Sequence, residues 1–371
     1  MAVKQSEEAV LSVSGGTFKD WESVWVQHTW GDAYSLFKFT CAERDDQAAH
    51  FIPGDECEIS LAGEIAIEGY ILNRQVAYDA YHHGVQISGA NKTFYASHSS
   101  IDSKTSSYDG KDFLTIAKEV LSKTDVPEFE TKGNIDKTPF KYAHNAPGEP
   151  IFHFLERYGR LRKIIVTCTK EGKFLFVGQG KNGGSQGELI EGQNILKMQC
   201  VISEAQQRSK YYVRNQINGS DAKNMENAAR MQAIADGRLK KHYCIKIIPA
   251  EQGMYDNKEL QTRCDTESMW TEAQQIQATI VVQGWQPGGS SSRGGSGGPL
   301  WTAGKDVKVK SPSALIDQDL SIQQVTYTQD NNHGSLTTLI CVAPWGLNGS
   351  TKYQPKDAPA PKPSSSTPTQ S

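Results

Sequence analysis

The 371-residue sequence lacks any apolar run that approaches the roughly 18 residues needed to cross a bilayer. Its first ten residues carry three charges and no apolar segment of signal-peptide length. We therefore expect a protein that is neither anchored in a membrane nor exported by a signal peptide. Paired cysteines are lacking too, because the seven cysteines are scattered and form no CxxC pair. This pattern favours reduced, buried thiols over a disulfide framework or a zinc site.

A large charge of either sign is also absent, since 39 Lys and Arg residues face 42 Asp and Glu residues and the net charge is −3. Such a balance provides no field to attract nucleic acid or an anionic membrane, which disfavours DNA wrapping. The composition, 37% hydrophobic and 22% charged, is typical of a folded globular protein. A chain of this length predicts roughly two to four domains.

Motifs for catalysis are missing as well, because the sequence contains no GxSxG, HExxH or Walker pattern. Gly178, Gly180 and Gly183 have the spacing of a dinucleotide-binding loop, but a polar segment follows them, so we interpret them as a mobile connection. Adjacent His82 and His83 would point to opposite faces of a strand, which disfavours chelation of one metal. No cofactor site and no metal site is therefore predicted.

Four glutamates leave one enzymatic alternative open. Carboxylates on neighbouring strands can lie at the separation that glycoside cleavage needs. Glutamates on the polar face of a barrel are commoner, so we predict no catalytic residue and no enzymatic activity. The four residues are Glu56, Glu58, Glu64 and Glu68.

Short strands divided by Gly, Asp and Pro fill residues 8–98 and predict a first antiparallel β-barrel. The alternation is clearest in residues 64–71, where Ile65, Ile67 and Ile71 share one face. One face of this strand is therefore expected to pack inward and the other to meet water or a partner.

The hydrophobic period changes in residues 99–180, which predict the first lobe of an α+β region. Helices are expected at Lys111 to Ser122 and at Glu149 to Arg162, with a strand at Phe140 to His144 between them. A hairpin is expected to turn at Glu171 and Gly172.

Residues 218–286 repeat this order and predict a second α+β lobe that packs on the first. Its expected elements are a helix at Ala222 to Asp236, a strand at Tyr243 to Ile248, a helix at Glu267 to Gln277 and a strand at Ala278 to Trp285. The lobe would interrupt a second, discontinuous β-barrel in residues 181–217 and 299–346. Residues 287–298 are expected to form a Gly/Ser loop, and residues 349–371 a disordered tail.

An ordered series of motifs resembles the Mu-like baseplate hub family, which is related to the phage late control protein D and tail protein P group. It begins with Gly54-Asp55, an alternating strand, the EGYI motif at residues 68–71, Tyr78-Asp79 and a strand that ends at Gly89. It continues in residues 148–157, 203–213, 280–285, 299–301 and 342–345. The resemblance thus spans nearly the whole chain.

The resemblance implies a mainly β, α+β protein with two barrels of the tail-tube type joined by an α+β region. It also implies a structural virion protein: a homotrimeric central hub of the tail baseplate that joins the hexameric tail tube to the trimeric central spike. Other baseplate proteins and the tape measure protein are further expected partners, and DNA would only pass through the channel. Such a protein would be assembled in the host cytoplasm. Two alternatives remain: a hub that degrades cell wall, and the equivalent hub of a type VI secretion system or phage-like contractile particle.

Aromatic residues on the expected strands suggest where subunits meet. Tyr70 and Tyr78 lie among the glutamates, and Trp21, Trp25 and Trp30 crowd the first strands. Aromatic side chains on such surfaces favour contacts with a partner. We therefore expect the first barrel of one subunit to pack beside the second barrel of the next.

Overall fold

The computed structural model describes residues 7–13, 16–42, 51–79, 83–102, 105–180, 184–215, 231–250, 257–288 and 298–344. Within these residues, no helix combines the length and the apolar character that a membrane span requires. Most of the Gly/Ser loop, the C-terminal tail, His82, Gly183 and the first part of the helix expected at Ala222 fall outside the described residues.

Antiparallel strands dominate the fold, and thirteen of them form one sheet. The strands from the first part of the chain are β1 (Ala9–Val13), β2 (Gly16–Phe18), β3 (Ser23–Thr29), β4 (Leu36–Ala42), β5 (Glu56–Leu61), β6 (Glu64–Tyr78) and β7 (His83–Asn91). Their order in the sheet is β3-β4-β7-β6-β5-β1-β2, which we call the N-terminal half-sheet. Ile59, Ile67 and Ile71 lie in its core, as the alternation of these segments predicts.

The later strands of the same sheet form the C-terminal half-sheet, in the order β12-β16-β19-β18-β17-β11. They are β11 (Ser185–Ile190), β12 (Lys197–Ile202), β16 (Ile276–Gln283), β17 (Asp306–Ser311), β18 (Ile316–Asp330) and β19 (Gly334–Val342). Strands β3 and β18 pair antiparallel, so the two half-sheets are continuous. One hydrophobic core contains residues of both, including Val26, Ile59, Trp285 and Leu339. The expected mainly β, antiparallel fold class is confirmed.

The first lobe lies between the half-sheets in sequence. Its elements are α1 (Thr93–His98), α2 (Phe113–Leu121), β8 (Phe129–Lys132), α3 (Ile151–Arg160), β9 (Ile165–Cys168) and β10 (Phe174–Val177). The Asp112 carboxylate caps α2 by accepting hydrogen bonds from the backbone of Leu114 and Thr115. Both long helices and the β9–β10 hairpin therefore occur close to where the sequence predicts them.

The second lobe consists of β13 (Lys210–Asn215), β14 (Met231–Asp236), β15 (Ile245–Pro249) and α4 (Asn257–Ala273). Its three strands form a separate sheet in the order β14-β13-β15. Phe154 and Phe176 of the first lobe share one hydrophobic cluster with Tyr211 and Leu260 of the second. The two lobes therefore pack together, as expected.

Several sequence-based assignments in the second lobe are wrong. Met231–Asp236 is strand β14 rather than the end of a helix, because its pairing with β13 outweighs the local helix propensity of Met, Gln and Ala. Strand β13, assigned to the second barrel, belongs to the lobe. Strand β16, assigned to the lobe, lies in the large sheet between β12 and β19. The boundaries 181–217 and 218–286 shift accordingly.

The strand expected at Phe140 to His144 is also absent from the described fold. Phe140 and Ala143 are fully buried, which explains the apolar signal. Their backbone groups bond to the loop before α2 instead, and the Ala143 N–H donates to the Asp109 carboxylate at 2.7 Å. The buried apolar side chains of this segment therefore give it a strand-like sequence pattern, although it forms no strand in the described fold.

Candidate assembly interface

The two half-sheets repeat one arrangement of strands. From β3 the N-terminal half-sheet runs β4, β7, β6, β5 and β1, while from β12 the C-terminal half-sheet runs β16, β19, β18, β17 and β11. The last strands differ in direction, since β1 is antiparallel to β5 and β11 is parallel to β17. Strand β2, beyond β1, has no counterpart among the described strands, and all other positions correspond in order and direction.

Backbone hydrogen bonds at the start of the long hairpins correspond one for one. The Gly54 N–H donates to Ile71 O at 2.7 Å, and the Gly304 N–H donates to Ile322 O at 2.7 Å. In the opposite sense, the N–H of Ile71 donates to Asp55 O at 3.0 Å, and that of Ile322 donates to Lys305 O at 2.9 Å. Ile71 and Ile322 therefore occupy equivalent positions.

The first strands of the two half-sheets correspond in the same way. The Glu22 N–H donates to Thr40 O at 2.8 Å, and the Leu196 N–H donates to Val281 O at 2.9 Å. Strands β6 and β18 are both 15 residues long, and each has a register irregularity directly after its equivalent isoleucine. The chain thus contains one β unit twice.

The residues alone predict a repeat in the α+β lobes, whereas two similar β units are implied only by the family resemblance. The only signal in the sequence is a glycine before an alternating strand, at Gly54 and at Gly304. The lobes do not repeat the expected order, because the described second lobe has three strands before its one helix.

The junction of β3 with β18 shows how two such units meet. Val26 pairs with Tyr327, and their side chains are 1% and 6% exposed. The Tyr327 hydroxyl donates to Trp301 O, and the indole N–H of Trp285 donates to Thr328 O at 3.2 Å. Burial lowers the pKa of His28, also on β3, to about 4, so its ring is neutral at pH 7. The junction is therefore a dry, packed continuation of the sheet.

Within the described residues, the corresponding edges elsewhere in the chain pair with no further strand. Strand β12 lies at the end of the described sheet, and Val201 on it is 49% exposed. Strand β5 accompanies β6 only as far as Tyr70, opposite Glu56. From Asn73 onward the side chains of β6 are exposed, Val76 by 36%. Apolar side chains thus line strand edges that could accept another strand.

The aromatic residues expected at subunit contacts divide into two groups. Trp30 is buried, and the Trp21 ring packs 4.8 Å from that of Phe39, so these two belong to the core of the chain. Tyr78 is almost fully exposed at the end of β6, while the Tyr70 ring lies 5.5 Å from Tyr95. Only part of this aromatic set is therefore available to a partner.

The residues considered for catalysis or ligand binding take part in strand pairing, an ion pair and backbone packing. Glu58 and Glu68 lie directly opposite each other on β5 and β6, and Lys92 binds the Glu68 carboxylate at 3.2 Å. Gly178 packs its backbone against Asn134, and the next described element after it is strand β11. Among the described residues, no group of three or more His, Cys, Asp or Glu side chains could hold a metal ion.

Comparison with known proteins agrees with this architecture. Residues 8–91 match the family model described as Mu phage baseplate assembly protein GpP-like, N-terminal. The predicted resemblance is thereby confirmed on the segment that carries the GD and EGYI motifs. None of the curated proteins matches the chain by sequence.

Solved structures of tail proteins share the fold over most of the chain. The 43 kDa tail protein of prophage MuSo2 from Shewanella oneidensis has a TM-score of 0.78 and 21% identity, with 92% of this chain and 99% of that chain covered. A tail protein from Neisseria meningitidis has a TM-score of 0.76 and 16% identity, with 92% and 98% covered. An E. coli component of the type VI secretion system has a TM-score of 0.59 and 10% identity, with 92% and 79% covered.

Proposed function

We propose that this protein is a structural component of a phage tail baseplate, namely a trimeric central hub that joins the tail tube to the central spike. The observation that carries the proposal is the repeated β unit within one chain. Three chains with two similar units each would present six similar units around an axis while keeping threefold symmetry. Such a ring can meet a hexameric tail tube on one side and a trimeric spike on the other.

The partners follow from this position in the virion. The tube protein and the spike are the direct neighbours, and other baseplate proteins and the tape measure protein lie within reach of a central ring. DNA passes through the channel without being wrapped, which agrees with a net charge of −3. The chain would be assembled in the host cytoplasm and would then remain in the virion.

The arrangement of the glutamates supports a structural role over cell-wall cleavage. The pair most suited to acid–base chemistry, Glu58 and Glu68, lies side by side on neighbouring strands, and Lys92 neutralises one member. Glycoside cleavage needs two carboxyl groups free to act on a bound sugar, whereas the Glu68 carboxylate is held in an ion pair. The protein therefore acts through its surfaces.

The likeness to a type VI secretion component favours a second candidate, the equivalent hub of a type VI or phage-like contractile particle. This candidate uses the same ring and differs only in the neighbours that it binds. Binding to purified tube and spike proteins of each kind separates the two.

The mass of the particle in solution tests the proposal. At micromolar concentration, alone or with a spike protein, native mass spectrometry should show three chains of 40.9 kDa, about 123 kDa in total before any spike is added. A chain that stays monomeric under both conditions, and that binds neither tube nor spike protein, would overturn the hub assignment.

A further inference from the structure

We propose that the outer edge of β12 in one chain pairs antiparallel with the C-terminal part of β6 in the next copy of this chain, in the register that β3 and β18 use within one chain. The occupant of the open edge is thus a second copy. This inference rests on the proposed trimer and specifies how its subunits are joined. The two half-sheets are equivalent, and one junction between them, β3 with β18, lies within the chain. The equivalent edges on β12 and β6 can form a second junction of the same kind.

The equivalence of β3 and β12 fixes one side of the junction. Glu22 and Leu196 make the same backbone hydrogen bond to the neighbouring strand. Counting three and four residues onward, Trp25 corresponds to Gln199 and Val26 to Cys200. The edge of β3 that pairs with β18 therefore corresponds to the outer edge of β12.

The equivalence of β18 and β6 fixes the other side. Ile322 and Ile71 are equivalent by their hydrogen bonds, and pairing with the next strand resumes two residues later in both cases. Counting five residues onward, Tyr327 corresponds to Val76. The part of β18 that pairs with β3 is therefore the part of β6 that extends beyond β5.

The internal register then predicts the pairs between copies. Because Val26 pairs with Tyr327 and Trp25 with Thr328, Cys200 would pair with Val76 of the next copy and Gln199 with its Ala77. Because Ser23 pairs with Asp330, Lys197 would face Asp79, which places opposite charges side by side.

Burial at equivalent positions supports this pairing. Val26 and Tyr327 are almost completely buried at the internal junction, whereas Val76 is 36% exposed and Cys200 is partly exposed. Val201 and Ile202 on β12 are about half exposed as well. An apolar position that is buried at the internal junction but exposed at the equivalent strand edge is expected if a second copy of the chain covers that edge.

The hydrogen-bond directions also agree. The Trp30 N–H donates to Gln323 O at 2.8 Å, so even-numbered residues of β3 point their N–H groups toward β18. Directly after β12 the Ser203 N–H donates to Gln275 O at 2.9 Å, so odd-numbered residues of β12 point their N–H groups toward β16 and even-numbered residues point them outward. Trp25 and Thr328 are consequently a non-hydrogen-bonded pair, and so are their counterparts Gln199 and Ala77.

Cysteine cross-linking tests the register. Non-hydrogen-bonded pairs bring their Cα atoms to about 4.5 Å, which suits a disulfide. The double variant Gln199→Cys with Ala77→Cys should give covalent trimers on a non-reducing gel after mild oxidation, at least tenfold more than either single variant. The matched control is Gln199→Cys with Asn73→Cys, whose partners lie four residues out of register and should not cross-link.

A second variant guards against a folding defect in the first. Val76→Cys alone should cross-link to native Cys200 of the next copy, with no other substitution in the chain. Noncovalent trimers that fail to cross-link at either pair would overturn this inference and leave the proposed hub standing. A chain that forms no oligomer with or without a spike protein and binds neither tube nor spike protein, in the unmodified form as in the variants, would overturn both.

Discussion

Replacing Gly89 with alanine is expected to destabilise the protein by about 3 kcal/mol or more. A Cβ atom at this position would lie 2.1 Å from Tyr70 O and 2.5 Å from the Phe37 ring. The oxygen belongs to the backbone of the paired strand β6, and Phe37 is fully buried, so neither neighbour can move without separating strands of the core. Urea unfolding of the variant should show the loss as a lower midpoint.

The matched control lies on the same strand. A Cβ atom at Gly84 would meet nothing within 4 Å. Gly84→Ala should therefore leave stability unchanged or raise it by about 0.5 kcal/mol, since alanine loses less backbone entropy than glycine. Equal losses in the two variants would show that glycine at position 89 is required for some other reason than close strand packing.

Arg162→Met is expected to cost about 3–5 kcal/mol by leaving a buried carboxylate without its partner. The Arg162 guanidinium binds Glu259 of α4 at 2.9 Å and lies 4.0 Å from the centre of the Phe140 ring. Both charged side chains are largely buried, 5% and 12% exposed. The pair joins the two lobes, so its loss should also loosen α4, which hydrogen exchange would detect.

Lys123→Met provides the comparison for this variant. Lys123 binds Asp102 at 2.8 Å, but both side chains are largely exposed. Breaking such a surface pair should cost at most about 1 kcal/mol. If Arg162→Met were no more harmful than Lys123→Met, the two lobes would not be held together by this ion pair.

The sequence predicted the elements whose signals are local. The alternation of Ile65 to Ile71 and the helical stripe of α2 each depend on residues close in the chain, and both elements occur where expected. The EGYI motif gains a physical reason, because a side chain at Gly69 would lie 2.0 Å from Ala90 O on the paired strand. Such positions tolerate only glycine.

What the sequence could not predict depends on distant partners. Nothing local in Met231–Asp236 distinguishes a helix from a strand that pairs with β13 across a long separation in sequence. The repeated unit is equally hidden, because its two copies share backbone hydrogen bonds and strand order rather than side chains. The unpaired edges of β12 and β6 in the described sheet are recognised as equivalent to a junction only by comparison with the β3–β18 pairing.

Electron microscopy of the assembled particle, viewed along its axis, would show directly whether the protein is a trimeric hub. We expect a closed ring of three chains with six similar β units around an open channel, in which β12 of each chain adjoins β6 of the next. A ring with another number of chains, an open filament, or three chains joined through their α+β lobes with both strand edges exposed would contradict it.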